Sequence, residues 1–424
     1  MNTLPKNAPV LSLTAKREIL EKVLKSLDAK FYKPELLGNS WRDAVEANRS
    51  GIEEASTPSD FEEAITRLLQ TLQTSHLGFF HGSARRASSR AALSATYLAC
   101  DTPHGTRWVF QDVHAGGAAA AAGLLSGDVL ISVDGQQIYP PDHPIFPMGA
   151  ASSVVVVSKD GNERILEVNV SRPKGKKLLF VEPTLVHGEL LNEHIGYLKV
   201  SMFPGMLGVD VANAISAAVD SLGSVRGLVV DLRGNTGGGA GCLRLMSLLT
   251  PNRIEVGFAA NKDWAQRDLE KEKLSFPRLS EIPVSKRFLW LLALRFLPSL
   301  ISRSPVVLKT EGLGSKPYHQ NIVLLVNRHT ASAAEMVTVF AKENNLARIV
   351  GEKTAGRLLS ATSVKIGHGY RLALPTGAYY TWQGSVLEGN PISPDVFVEF
   401  DWMASRAGQD HQLAAAVDAL SVPV

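Results

Sequence analysis

Ser332 falls where a run that reads as a buried strand, NIVLLVN, passes through a short turn into the helix-forming run ASAAEMVT. A hydroxyl at such a junction is exposed at the edge of a sheet. The first turn of the helix offers unpaired N–H groups and partial positive charge to a developing oxyanion. The plainer use of Thr330 or Ser332 is to cap that helix. A second strand–turn–helix unit, GLVVDLRGNTGGGAG, has a glycine-rich turn whose backbone can approach a ligand closely. It is not a phosphate loop, because GxxxxGK[ST] is absent and GNTGGG does not fit GxGxxG. Open α/β sheets bind ligands at the carboxyl ends of their strands, so the two turns could face one crevice. A serine nucleophile needs a base, and spacing alone does not choose among the eleven histidines. HExxH and CxxC are absent, so neither a metal nor a cofactor is expected. Glu335, one turn after Ser332, reads as a helix-surface or first-turn charge. Asp231 and Arg233 read as braces for the glycine turn.

The elements that must position these residues follow from periodicity. Residues 14–73 read as helical, with Leu20, Val23, Leu24 and Leu27 at helical spacing and a capping box at Ser59 and Glu62. The chain then enters TSHLGFFHG, a loop or strand start. Residues 88–172 change to short β-rich runs: RWVFQDV, DVLISVDG, SVVVVSKDG and RILEVNV. They enclose a short alanine helix ended by Gly123. Beyond residue 175 strands and helices alternate, which argues for an α/β core with a largely parallel sheet. Residues 251–320 interrupt that rhythm with a charged stretch, KDWAQRDLEKEK, and an apolar one, FLWLLALRFL. They read as an insertion, either a lid or partner surface or an extra helical hairpin. The expected domains are therefore a helical region (1–87), a β-rich domain (88–172) and an α/β core (173–424).

The formal net charge of +3, from 44 basic and 41 acidic residues, gives no support for a nucleic-acid partner. No run reaches the ~18 apolar residues of a membrane span, and the most apolar one, Phe288 to Ile301, is broken by Arg295 and Pro298. The first twenty residues hold no signal-peptide core. The two cysteines, Cys100 and Cys242, read as small buried hydrophobes in a reducing compartment, so a cytoplasmic protein is expected.

NRHTASAAEMVTVFAKENNLARIVGEKTAGR resembles the nucleophile block of the C-terminal processing peptidases and their relatives, the tricorn core proteases. VVDLRGNTGGG resembles the glycine-turn block of the same superfamily, GGAAAAAGLLSGDVLISVDGQQI the second half of a PDZ domain, and LEGNPISPDVFVEF the C-terminal block. Together they span roughly residues 70–400. The resemblance implies an α/β catalytic core of the ClpP/crotonase-like kind, an inserted PDZ-like domain and serine peptidase activity. Its substrates would be peptides or unfolded proteins, their termini held by the PDZ-like domain; homo-oligomers are compatible with it. One position departs from the processing-peptidase pattern. Its lysine base is replaced by Arg357 in TAGR, and arginine stays protonated in proteins. Lys353 is nearby but does not occupy the matching position. The tricorn branch instead takes a histidine from TSH, present as Thr74, Ser75 and His76, and a glutamate before G-x-x-PD, present as Glu388. The resemblance thus implies a tetrad of Ser332, His76, Ser75 and Glu388. It also implies an oxyanion hole of the Ala333 N–H with that of Gly237 or Gly238. The superfamily includes retinoid carriers, so a binding protein with its chemistry lost is the rival reading. An esterase using the same tetrad is a third.

Overall fold

The computed structural model describes residues 11–82, 92–171 and 184–420. The expected domain boundaries at 87/88 and 172/173, and residues 1–10 of the N-terminal segment, lie outside these.

The α/β core is built on one six-stranded sheet. Its strand order is Val396–Phe397, Arg348–Gly351, Ile322–Val326, Gly227–Asp231, Ile195–Val200, Val186–Leu190. All neighbours run parallel except the last pair. Gly227–Asp231 and Ile322–Val326 are buried at every residue, as strands covered on both faces must be. Helices Val209–Ser221, Cys242–Leu248 and Ala333–Glu343 bury Ile215, Leu245 and Phe340 against one face. Helix His411–Ala419 covers the other. The two chemically suggestive turns leave adjacent parallel strands at their carboxyl ends, so they emerge side by side.

A second sheet carries the other half of the site. Its order is Gly78–His81, Tyr370–Thr381, Glu255–Asn261, Val307–Lys309, Arg278–Leu279, with Leu359–Gly367 also paired to Tyr370–Thr381. The stretch 251–320 thus contributes three strands to this sheet. Only the part between them forms the extra helical segments, Leu289–Arg295 and Leu297–Ser302 among them. Helices Leu13–Lys30, Asn39–Glu54 and Pro58–Gln70 pack Leu20, Trp41 and Phe61 on Phe79, Tyr370 and Leu372 of the sheet. The third helix starts earlier than Ser59 and Glu62 suggested. Pro58, whose fixed φ suits the first helical position, is preceded by Thr57 as N-cap. Thr57 Oγ1 accepts from Asp60 N at 3.1 Å, and Asp60 Oδ2 accepts from Thr57 N at 3.0 Å. Glu62 is buried instead.

The β-rich domain is a third sheet ordered Ala95–Thr102, Gly105–Val113, Val129–Val133, Ala150–Val157, Glu163–Val170. Its alanine helix, Ala118–Ala121, is followed by Gly123 at φ 80°. The domain docks on the core through polar pairs. Asn327 Nδ2 donates to Asp112 Oδ2 at 2.9 Å, and Gln111 Nε2 to Glu352 Oε2 at 2.8 Å. Such bonds replace water with matched partners. Cys242 is buried and Cys100 half-buried, both as free thiols.

Candidate active site

Ser332 sits between the end of strand Ile322–Val326 and helix Ala333–Glu343 with φ 55° and ψ −122°. A non-glycine residue there stores roughly 1–3 kcal/mol of strain, which the surroundings must hold. They do so through the backbone. Ser332 N donates to Arg357 O at 3.0 Å, and Ala331 N to Asn235 O at 2.9 Å.

Glu335 is the principal brace: it stands in the first helical turn, as one of its two expected placements had it, but its bracing role was not foreseen. It is buried, not on the helix surface. Its Oε2 accepts from Ser332 N at 3.1 Å and Arg357 N at 2.9 Å. Its Oε1 accepts from Thr354 Oγ1 at 2.6 Å and Gly356 N at 2.7 Å. One carboxylate thereby ties the Ser332 turn to the TAGR turn. Burial raises its pKa, opposed by these donors.

His76 approaches from the second sheet, at φ 59° just before strand Gly78–His81. Ser75 Oγ lies 2.6 Å from His76 Nδ1 and donates to Glu388 Oε2 at 2.8 Å. Ser75 N donates to Glu388 Oε1 at 2.8 Å, and Leu358 N to Glu388 Oε2 at 3.0 Å. A hydroxyl has one hydrogen. Given to Glu388, it leaves Ser75 Oγ to accept from His76 Nδ1–H, so the ring's lone pair is on Nε2. Desolvation is the largest influence on the ring and lowers its pKa; Glu388 raises it and Arg357 lowers it, leaving it below the ordinary histidine value.

His76 and Ser332 line one cavity of about 810 Å³. No hydrogen bond joins the Ser332 hydroxyl to the His76 ring. Cys242, Phe258, Leu308, Met336 and Leu358 share the cavity wall, and among the described residues His76 is its one lining residue with an ionisable nitrogen. Gly238 and Ala333 also line it. Among the described residues neither N–H has a hydrogen-bond acceptor. Gly237 is the correction here: its N–H is taken by Asn235 Oδ1 at 2.8 Å. Of the two glycines, Gly238 is therefore the one with a donor to offer. Gly237 has a packing role instead. Its φ is 92°, and a Cβ on it would stand 2.6 Å from Ser332 Cβ.

Lys353 and Arg357 are exposed, and neither side chain lines the cavity. Asp231 and Arg233 do brace the glycine turn. Arg233 Nη2 reaches Asp231 Oδ2 at 2.8 Å and Asp410 Oδ2 at 2.8 Å, and Lys199 Nζ lies 3.1 Å from Asp231 Oδ1. Burial pushes the Asp231 carboxyl up, but Arg233 and Lys199 outweigh it and hold the carboxyl below its usual range. Among the described residues no three His, Cys, Asp or Glu side chains gather as a metal site would need.

The Ser332 turn, a histidine and two unengaged N–H groups meet around one cavity, and the β-rich domain beside them is a PDZ domain, matched over residues 109–145. Residues 194–398 match Peptidase family S41. The chain thus carries a Peptidase family S41 region beside its PDZ domain, and its relatives include C-terminal processing proteases and a tricorn protease homologue. A carboxy-terminal-processing protease of Bartonella bacilliformis is 26% identical over 66% of this chain; the chain spans 56% of that relative's length. The chloroplastic C-terminal processing peptidase of Tetradesmus obliquus is 23% identical over 92% of this chain and 78% of its own. The solved photosystem II D1 C-terminal processing protease superposes with a TM-score of 0.54 at 22% identity, covering 92% of this chain and 94% of that one. That likeness concerns the fold.

Proposed function

We propose that this chain hydrolyses peptide bonds with Ser332 as nucleophile and His76 as its base. The observation that carries the reading is the hydrogen-bonded series Glu388–Ser75–His76, which ends at the cavity holding Ser332. His76 Nε2 takes the Ser332 proton as Oγ attacks the scissile carbonyl, and later returns it to the leaving amine. Ser75 and Glu388 hold the tautomer and favour the imidazolium. The N–H groups of Gly238 and Ala333 receive the oxyanion. The missing Ser332–His76 bond is no obstacle, since catalytic hydrogen bonds often tighten only with substrate bound.

The apolar wall favours an uncharged, apolar side chain at the cleavage position, because a buried charge there would find no partner. Peptides and unfolded chains are the proposed substrates, with the PDZ domain holding a peptide terminus by strand addition. A cytoplasmic setting belongs to the proposal, motivated by the two free cysteines. The rival, a carrier of a small hydrophobic ligand, draws on the same apolar cavity. Fluorophosphonate treatment separates the two. A peptidase acquires one adduct per chain, mapped to Ser332; a carrier acquires none.

A further inference from the structure

Helices Leu289–Arg295 and Leu297–Ser302 are apolar on two sides. Leu289, Leu292 and Phe296 pack on the catalytic core. On the outward side Trp290 is 61%, Leu294 59% and Ile301 75% exposed, with Phe288, Leu291 and Leu297 exposed beside them. Residues 287, 290, 291 and 294 share one helical face. A helix apolar all round belongs in an interior, and this one has water where its second apolar surface should be.

The charges around the patch say what covers it. From Ile282 to Thr310 there is no acidic residue, but Lys286, Arg287, Arg295, Arg303 and Lys309 are present. Lys286 pairs with Asp210 and Lys309 with Glu255. Arg287, Arg295 and Arg303 have no ion-pair partner among the described residues. In a two-fold contact with a second copy these arginines would face one another across a desolvated rim, which is unfavourable. Opposite anionic headgroups they are matched, and the exposed Trp, Phe, Leu and Ile side chains suit the headgroup–acyl boundary. Among the described residues no helix is long and apolar enough to cross a membrane, so the element would lie in the surface plane. We propose that this helical pair is a membrane-surface anchor for anionic bilayers. The chain runs on from it into Val306 and Leu308 of the cavity wall, so docking would hold the active site close to the bilayer.

The test is co-sedimentation of the full chain with phosphatidylcholine vesicles, with and without roughly 30% phosphatidylglycerol. The chain should pellet with the anionic vesicles, less so as salt is raised. Trp290→Ser combined with Leu294→Ser and Ile301→Ser should weaken partitioning by at least about tenfold. Arg287→Gln with Arg295→Gln and Arg303→Gln should weaken it by roughly ten- to a hundredfold. All six positions are exposed, so the unfolding midpoints should match wild type. Should the apolar variant misfold, quenching of wild-type tryptophan emission by brominated acyl chains reads insertion directly. Absence of binding to anionic vesicles overturns the proposal, as does equal binding by both folded variants. So does a wild-type dimer, without lipid binding, that the apolar variant makes monomeric.

Discussion

Replacing Glu335 tests how the Ser332 turn is held. In Glu335→Gln one carboxylate oxygen becomes an amide N–H₂. At the Oε2 position that group would confront two backbone donors, Ser332 N and Arg357 N. At the Oε1 position it meets Thr354 Oγ1 and Gly356 N. The Thr354 hydroxyl can rotate and accept, so the amide settles there and orphans the single donor Gly356 N. A buried unsatisfied donor costs roughly 1–3 kcal/mol, and that is the expected loss of stability. Glu335→Ala orphans Gly356 N and Arg357 N, leaves Ser332 N with Arg357 O alone, and opens a cavity. It should cost more than the glutamine variant, a large fraction of the ~5–15 kcal/mol that holds a domain folded. Urea unfolding, with the slope checked for constancy, measures both. Because the brace fixes Ser332, kcat should fall in step with stability, reaching about a hundredfold where the hydroxyl moves by an ångström. Glu335→Ala with wild-type stability and wild-type kcat would refute the idea that this carboxylate holds the turn.

Three further outcomes are expected. The pH–activity profile should lose its acid limb below the usual histidine value of ~6.5, because the His76 pKa is lowered and the base must be neutral; Arg357→Gln removes a lowering charge and should move that limb to higher pH. Gly237→Ala should reduce kcat at least about a hundredfold and destabilise the fold by more than ~1 kcal/mol, since its Cβ would stand 2.7 Å from both Ala331 O and Ala333 N at φ 92°; kinetics and urea unfolding read the two effects. Asp231, with a lowered pKa, contributes stability that is fully present above its unfolded value of ~3.9 and is lost as pH falls from there toward the folded value; Asp231→Asn should therefore destabilise at neutral pH and flatten the acid dependence of the unfolding midpoint below pH ~4.

The strands and helices of the parallel core were legible because buried β-branched runs such as GLVVD and IVLLV alternate with amphipathic helices. The two turns beside Ser332 and Gly238 were legible for the same reason. His76 was reachable through the TSH resemblance alone, since its strand belongs to another sheet and nothing local ties it to Ser332. Glu335 was legible as a first-turn charge but not as a brace, because three of its four donors come from residues 354–357, which only the folded chain brings there. Gly237 looked equivalent to Gly238 until the Asn235 side chain turned back on it. The strands within 251–320 were hidden by weak alternation and by the register shift near Gly257.

The central claim is that His76, not a lysine, activates Ser332. The measurement that tests it most directly compares kcat/KM on one peptide for Ser332→Ala, His76→Ala and Lys353→Ala. Members of one catalytic unit lose similar amounts when removed singly. Ser332→Ala and His76→Ala should each fall by several orders of magnitude and to a similar level, with Lys353→Ala close to wild type. His76→Ala near wild type, with Lys353→Ala inactive, would contradict the account.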